Sequence, residues 1–251
     1  MSQNIYDNEI FFTEYMKLRN EKSYNDLLEQ PAISKLLPNV KGKTILDIGC
    51  GYGHNSLLFA QNGAKKVIGI DLSQKMLEVA KKESCHPCIE YRQMDMSEIL
   101  ALTQKFDMVY SSLAFHYAEN FQKLIKDVYD LLNKGGHLIY SQEHPIVTAT
   151  MNCKGHYNLD ENGNLVSYTF SDYAKSGQRV GPWFVDGVIN YHRSMGEIVS
   201  TLAHTGFMIT DMIEPTPESW ALEEKPDLMK EFIKPTFLII KAKKPEFGCD
   251  C

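Results

Sequence analysis

The sequence predicts an α/β fold, a mostly parallel sheet with helices on both faces, and three observations carry that prediction. Helix-like and strand-like segments alternate along the 251 residues, with no internal repeat and no low-complexity block. The β-branched run at residues 44–48 ends in glycines, as a buried parallel strand does, and the glycines lead straight into a helix-forming stretch. A second apolar run, Val67-Ile-Gly-Ile-Asp71, then brings a carboxylate to the same end of the sheet.

In chain order, an amphipathic stretch over residues 10–28 leads through the Pro31 region into a short helix ending near Pro38. The first strand starts at Thr44. A helix follows over 54–62, then a second strand over 66–70, and Ser73 is placed to cap a helix over 74–83. Third and fourth strands are expected at 89–93 and 106–111. Residues 121–132 read as a helix closed by Lys134-Gly135-Gly136, with a fifth strand at 137–141. From residue 144 to about 191 the rhythm breaks: Gly, Asn, Tyr and Ser dominate, with short β-prone pieces such as 165–170, and the segment reads as an insertion. A helix over 194–205 and strands over 207–213 and 236–242 complete the pattern, the last two paired antiparallel across a Pro- and Glu-rich loop. This organises the chain as one domain, residues 1–251, with a helical cap (1–40), a core (41–143), a lid insertion (144–192) and the rest of the core (193–251).

Composition narrows the function. At 43% hydrophobic, the chain buries enough for one α/β domain without needing a second. A net charge of −6 provides no global basic field for a nucleic-acid backbone, so only a local basic patch would serve one. Residues 1–9 lack the pattern of a signal peptide, and no apolar run approaches the roughly 20 residues of a membrane span, so a cytoplasmic protein is expected. The six cysteines are then most simply reduced thiols. Cys85-His-Pro-Cys88 has the spacing of half a zinc site or of a redox pair, but Cys153 is isolated and Cys249 and Cys251 sit near the chain end. A loop between helix and strand is the simpler reading, and no metal is expected.

The chemistry sits in the glycine loop. Gly49, Gly51 and Gly53 can adopt positive φ and let a ligand lie against the backbone where a helix begins. Asp71, about 20 residues beyond, can accept from both hydroxyls of a ribose. These features alone fit a nicotinamide cofactor. His54, however, stands where a dinucleotide loop needs its third glycine or alanine, and Asp47 would face the phosphates. A cationic ligand suits Asp47 better.

With its acid and three alternating glycines, Asp47, Gly49, Gly51 and Gly53, the segment resembles the class I S-adenosylmethionine-dependent methyltransferases, in the small-molecule branch of the type 11/25 kind. That resemblance implies a Rossmann-like seven-stranded, mostly parallel sheet with an antiparallel last strand, an N-terminal helical cap and a lid insertion after strand five. It implies S-adenosyl-L-methionine as cofactor and S-adenosyl-L-homocysteine as product. Asp47 would serve the amino-acid end of the cofactor, commonly through water, and Asp71, with Leu72, the ribose. Asp95 would accept from the adenine amino group while the Met96 amide meets a ring nitrogen; Asp95 also suits a helix N-cap, and the two roles can coexist. Ser111 belongs to the same set. Tyr15 and Arg19 resemble residues of the lead-in helix that folds over the cofactor, where Arg19 would pair the carboxylate bidentately, although a solvated helix face explains them equally.

Methyl transfer asks the protein to align two reactants, exclude water and, for a protic acceptor, take a proton. His116 beyond strand four, Glu143 and His144 beyond strand five, and His192 after the insertion are the candidates, histidine being suited to general-base work near neutral pH; each histidine could instead be satisfied by a backbone carbonyl. Ser111-Ser112-Leu113-Ala114 stands where amino-methyltransferases of nucleic acids and proteins carry Asn/Asp-Pro-Pro-Tyr/Phe, and the Pro-Cys pair of cytosine C5 enzymes is missing too. The insertion's aromatics, Tyr157, Tyr168, Phe170, Tyr173, Trp183, Phe184 and Tyr191, fit either an apolar acceptor pocket or the insertion's own core. The expectation is methyl transfer to an oxygen or nitrogen of a small molecule by a monomer or homodimer. Three alternatives remain: a tRNA or protein methyltransferase, an NAD-dependent oxidoreductase, and a noncatalytic S-adenosylmethionine-binding protein.

Overall fold

The computed structural model describes residues 3–20, 22–151 and 155–246. Helix α1 (Glu9–Asn20) is shorter than the amphipathic stretch predicts. Ser23 donates to Asp26 Oδ2 through both its backbone N–H (3.0 Å) and its hydroxyl (2.6 Å), and this starts a new helical segment. That segment runs through a π-helical turn at residues 25–29 into α2 (Gln30–Ser34).

The core then alternates β1 (Thr44–Ile48), α3 (His54–Gln61), β2 (Lys66–Asp71), α4 (Gln74–Glu83), β3 (Ile89–Gln93), β4 (Phe106–Ser111), α5 (Phe121–Leu131) and β5 (Leu132–Glu143). The strands form where β-branched runs meet turn residues, and Ser73 caps α4 by accepting from the Met76 amide (3.1 Å). β5 is much longer than the sequence predicts. α5 ends at Leu131, where Leu132 turns extended, and the double glycine lies inside the strand, with Gly135 at φ +77°. The bend stays in register because Lys244 pairs across it, accepting from Gly135 N (2.9 Å) and donating to Gly136 O (2.8 Å).

After β5 come α6 (Pro145–Thr148) and two hairpins, β6 (His156–Leu159) with β7 (Leu165–Thr169) and β8 (Gly177–Trp183) with β9 (Val185–His192). The chain returns to the core through α7 (Met195–Thr205), β10 (Met208–Ile213), α8 (Ser219–Glu224) and β11 (Phe237–Lys243).

The seven strands of the main sheet lie in the order β10-β11-β5-β4-β1-β2-β3, and β11 alone runs antiparallel to its neighbours. Alternate residues of β1 serve opposite faces: Leu46 and Ile48 pack into the layer with Ile125, Val128 and Leu202, while Ile45 packs with Ile33, Phe59 and Tyr110. Each such fully buried aliphatic side chain contributes about 1.5–3 kcal/mol. Because the chain leaves β1 toward β2 and β3 on one side and toward β4 and β5 on the other, a crevice opens at the carboxyl ends of β1 and β4.

The β8–β9 hairpin is anchored by Arg179, which is buried and donates to Ala149 O and Lys175 O, both at 2.7 Å. No helix among the described residues is long and apolar enough to cross a membrane.

Candidate functional site

At the carboxyl ends of β1, β2 and β4 the chain encloses a cavity of about 290 Å³, roofed by the N-terminal residues, α1 and Trp183 of the β8–β9 hairpin. Its floor is the glycine loop. Gly49 (φ +70°) is required by close packing, since a Cβ there would lie 2.5 Å from Ala114 Cβ. Gly51 (φ +53°) has open space above it, and its amide donates to Asp71 Oδ2 (2.8 Å). Asp71 Oδ1 accepts from the Ser73 amide (2.8 Å), so this carboxylate ties the loop to the start of α4 while lining the cavity beside Leu72. Burial pushes its carboxyl above the usual range.

Gly53, Asp47 and Ser111 do not reach the cavity wall. A Cβ on Gly53 would strike the Tyr91 hydroxyl, so packing explains that glycine. Asp47 is buried behind the loop, accepting from Ser56 Oγ (2.6 Å), and burial raises its pKa to about 7. Ser111 donates to Ile48 O (2.8 Å) and links β4 to β1. Asp95 does line the cavity, between Met94 and Met96, and also accepts from the Ser97 amide (2.9 Å) at the start of a 3-10 turn.

Arg19 and Tyr15 reach the cavity from α1. The Arg19 guanidinium lies 5.5 Å from the Tyr15 ring centre and 5.8 Å from that of Tyr52, and Nη1 donates to Ser23 Oγ (3.3 Å). Its Nε is buried without a partner. The Arg19 guanidinium, on the same cavity as the open face of Gly51 and the Asp71 carboxylate, fits a ligand that carries both a carboxylate and a ribose.

At the acceptor end the structure separates the four candidates. His116 and Glu143 line the cavity together. His144 does not: Nδ1 caps α6 by accepting from the Ile146 amide (3.1 Å), and Nε2 bonds Glu214 Oε1 (2.8 Å). Nor does His192, whose Nδ1 takes the Thr148 hydroxyl (2.8 Å) while Nε2 donates to Tyr173 O (2.9 Å). With both ring nitrogens engaged, these two histidines hold the base of the insertion instead of facing a substrate. His116 is 4% exposed, and burial lowers its pKa, leaving it neutral near pH 7. Its Nδ1 faces the Glu143 backbone N–H at 3.4 Å.

Several residues on or behind the cavity wall carry no sequence signal. Tyr6 comes from the first turn of the chain, and its hydroxyl meets that of Tyr117 at 3.4 Å. Glu29 is fully buried beneath the post-β4 loop and accepts from Ser112 Oγ (2.9 Å) and Ser141 Oγ (2.6 Å). Ser141 Oγ in turn accepts from the amide of Leu113, which takes φ +52°. Of the insertion's aromatics only Trp183 lines the cavity. Phe184 packs on Phe11 (5.5 Å between centroids), and Tyr157, Tyr168, Phe170 and Tyr173 form a chain of ring contacts within the insertion. Cys85 and Cys88 are free thiols in the α4–β3 loop, and among the described residues no cluster suited to a metal occurs. Cys153, Cys249 and Cys251 lie outside the described residues.

Comparison with known proteins identifies the family. Residues 45–136 match the family model of a methyltransferase domain. An uncharacterized protein of Haemophilus influenzae is 38% identical, over 97% of this chain and 98% of its own length. A Listeria monocytogenes crystal structure superposes with a TM-score of 0.80 at 36% identity, covering 87% of this chain and 97% of its own. An S-adenosylmethionine-dependent methyltransferase from Mesorhizobium loti superposes with a TM-score of 0.78 at 33% identity, covering 86% and 97%. The chain therefore belongs to the S-adenosylmethionine-dependent methyltransferases, with S-adenosylmethionine as its cofactor.

Proposed function

We propose that the protein transfers the cofactor's methyl group to an oxygen or nitrogen of a small molecule. The observation that carries this reading is the roofed cavity of about 290 Å³, near the lower end of small-ligand pockets, which start at ~300 Å³. It is roofed by Tyr6, Tyr15 and Trp183. Partial relatives lend support: a malonyl-[acyl-carrier protein] O-methyltransferase of Enterobacter lignolyticus is 30% identical over 122 residues, and a ubiquinone biosynthesis O-methyltransferase of Coxiella burnetii is 34% identical over 104. Each match covers less than half of the relative.

When bound, the cofactor supplies an electrophilic methyl group on a sulfonium. The chain's own residues do the rest. Asp71 accepts from the ribose hydroxyls, Asp95 and the Met96 amide receive the adenine edge, and Arg19 pairs the carboxylate. Asp47, buried behind the glycine loop, would serve the amino-acid end of the cofactor through water. Tyr6, Tyr117 and Trp183 exclude water, and His116 and Glu143 orient the acceptor. Within a single domain spanning residues 1–251, residues 1–40 serve as cap and 144–192 as lid.

The experiment is a screen for S-adenosylhomocysteine release from S-adenosylmethionine in the presence of a metabolite library. Release with one or a few small molecules is expected. Release only with tRNA or protein fractions would replace this reading with the macromolecular one.

A further inference from the structure

Resting on the methyl-transfer reading, we propose that the acceptor is a hydroxyl group, with Glu143 taking its proton and His116 donating a hydrogen bond to its oxygen. Histidine is the expected base in such a site, but the local geometry reverses the two roles. The Glu143 backbone N–H points at His116 Nδ1 (3.4 Å), so Nδ1 carries the lone pair and the neutral ring carries its proton on Nε2. Nε2 has no protein partner, yet it is not among the sealed, unpaired atoms, although the residue as a whole is 4% exposed and lines the cavity. It therefore opens into the cavity as a donor. Burial keeps the ring neutral, which preserves this arrangement near pH 7.

Glu143 presents the opposite sense. Its Oε2 accepts from Asn190 Nδ2 (2.9 Å), which fixes the carboxylate, while Oε1 has no protein partner and is likewise unsealed. The acceptor thus meets one donor and one proton acceptor on the same wall. The count of lone pairs decides which group fits. A hydroxyl oxygen has two: one receives Nε2–H, and the other attacks the methyl carbon while the O–H proton points to Glu143. A neutral amine has a single lone pair, and bonding to Nε2–H consumes the pair needed for attack. An ammonium ion would be drawn to Glu143 but would meet Nε2–H with a proton of its own. A carboxylate has no proton to give and is repelled by Glu143, with Asp71 and Asp95 on the same cavity.

In the transfer step the hydroxyl oxygen bonds to the methyl carbon and the carbon–sulfur bond breaks. Its electron pair returns to sulfur, and the hydroxyl proton passes to Glu143 Oε1. The ring-lined walls, Tyr6, Tyr117 and Trp183, suit a hydroxyl carried on an apolar or aromatic body.

Two measurements test this. Nitrogen-15 NMR of the intact protein with S-adenosylhomocysteine bound should show His116 protonated on Nε2 and bare on Nδ1 at neutral pH; the reverse tautomer would overturn the assignment. Separately, the cofactor-loaded protein is assayed against small molecules grouped as alcohols and phenols, amines, carboxylic acids and thiols, reading S-adenosylhomocysteine and the methylated atom of the product. Turnover confined to hydroxyl compounds, with Glu143→Gln at least about 100-fold slower and S-adenosylhomocysteine affinity within twofold of the parent, is expected. Turnover of an amine or a carboxylic acid in preference to hydroxyl compounds would overturn the hydroxyl assignment and leave methyl transfer standing. Cofactor binding with no release from any class would overturn both.

Discussion

Asp71 performs two tasks with one carboxylate. Its oxygens hold the Gly51 and Ser73 amides, each at 2.8 Å, and the same group faces the cavity. Asp71→Asn should therefore weaken S-adenosylhomocysteine binding by about 1.5–3 kcal/mol, the usual worth of hydrogen bonds to a charged group, and cost about 1–3 kcal/mol of stability, because the side-chain amide has one acceptor oxygen for the two backbone N–H groups. Calorimetric titration measures this, and an unchanged affinity would remove Asp71 from the ribose site. Asp47 gives a pH signature. Its carboxyl titrates near 3.8 when unfolded and near 7 when folded, because burial penalises the charge. Between those values the folded state binds more protons, so Asp47 makes stability fall as pH rises through the window. Asp47→Asn should raise the melting temperature more at pH 8 than at pH 5; an equal effect at both would show that Asp47 is not shifted. These acids were legible in the sequence because they stand in register with the glycines. Glu29 was not, since its partners Ser112 and Ser141 come from two other elements and no spacing along the chain announces them.

Among the elements, the start of the chain matters most to the site. Gln3 pairs with β9 through both amide atoms, donating to Gly187 O (2.8 Å) and accepting from the Ile189 amide (2.9 Å). Asp7 accepts from Ser73 Oγ (2.6 Å) and from the Lys75 amide (3.1 Å) at the first turn of α4, where a carboxylate also meets the favourable end of the helix dipole. These contacts hold Tyr6 over the cavity. Asp7→Ala should cost roughly 1 kcal/mol of stability and weaken cofactor binding, read by thermal melting with and without S-adenosylhomocysteine. A stability loss with no change in affinity would show that the segment only packs and does not roof the site. Sequence reading missed this clamp because two polar side chains in an irregular segment have no periodicity. It also grouped His144 and His192 with His116, whereas their ring nitrogens are taken up by the Ile146 amide and Glu214 and by Thr148 and Tyr173 O.

At the scale of the whole molecule, strand order does what no single residue can. The switch of direction at β1 opens the crevice, and the cap, the glycine loop and the β8–β9 hairpin converge on it from segments distant along the chain. The sheet was readable because parallel strands write themselves as apolar runs bounded by glycine, and the length of β5 was not, because a double glycine that resembles a helix stop is a bend within a strand. The residues from the start of the chain were invisible for the same reason that they matter, since only tertiary contacts bring them to the site, and the same contacts single out Trp183 among the insertion's aromatics. The most direct test of the account is a crystal structure with S-adenosylhomocysteine bound. The ribose should lie on Asp71, the adenine beside Asp95 and Met96, and the carboxylate on Arg19, with the sulfur turned toward His116 and Glu143. A ligand bound with its carboxylate away from Arg19, or with its sulfur facing away from His116 and Glu143, would contradict it.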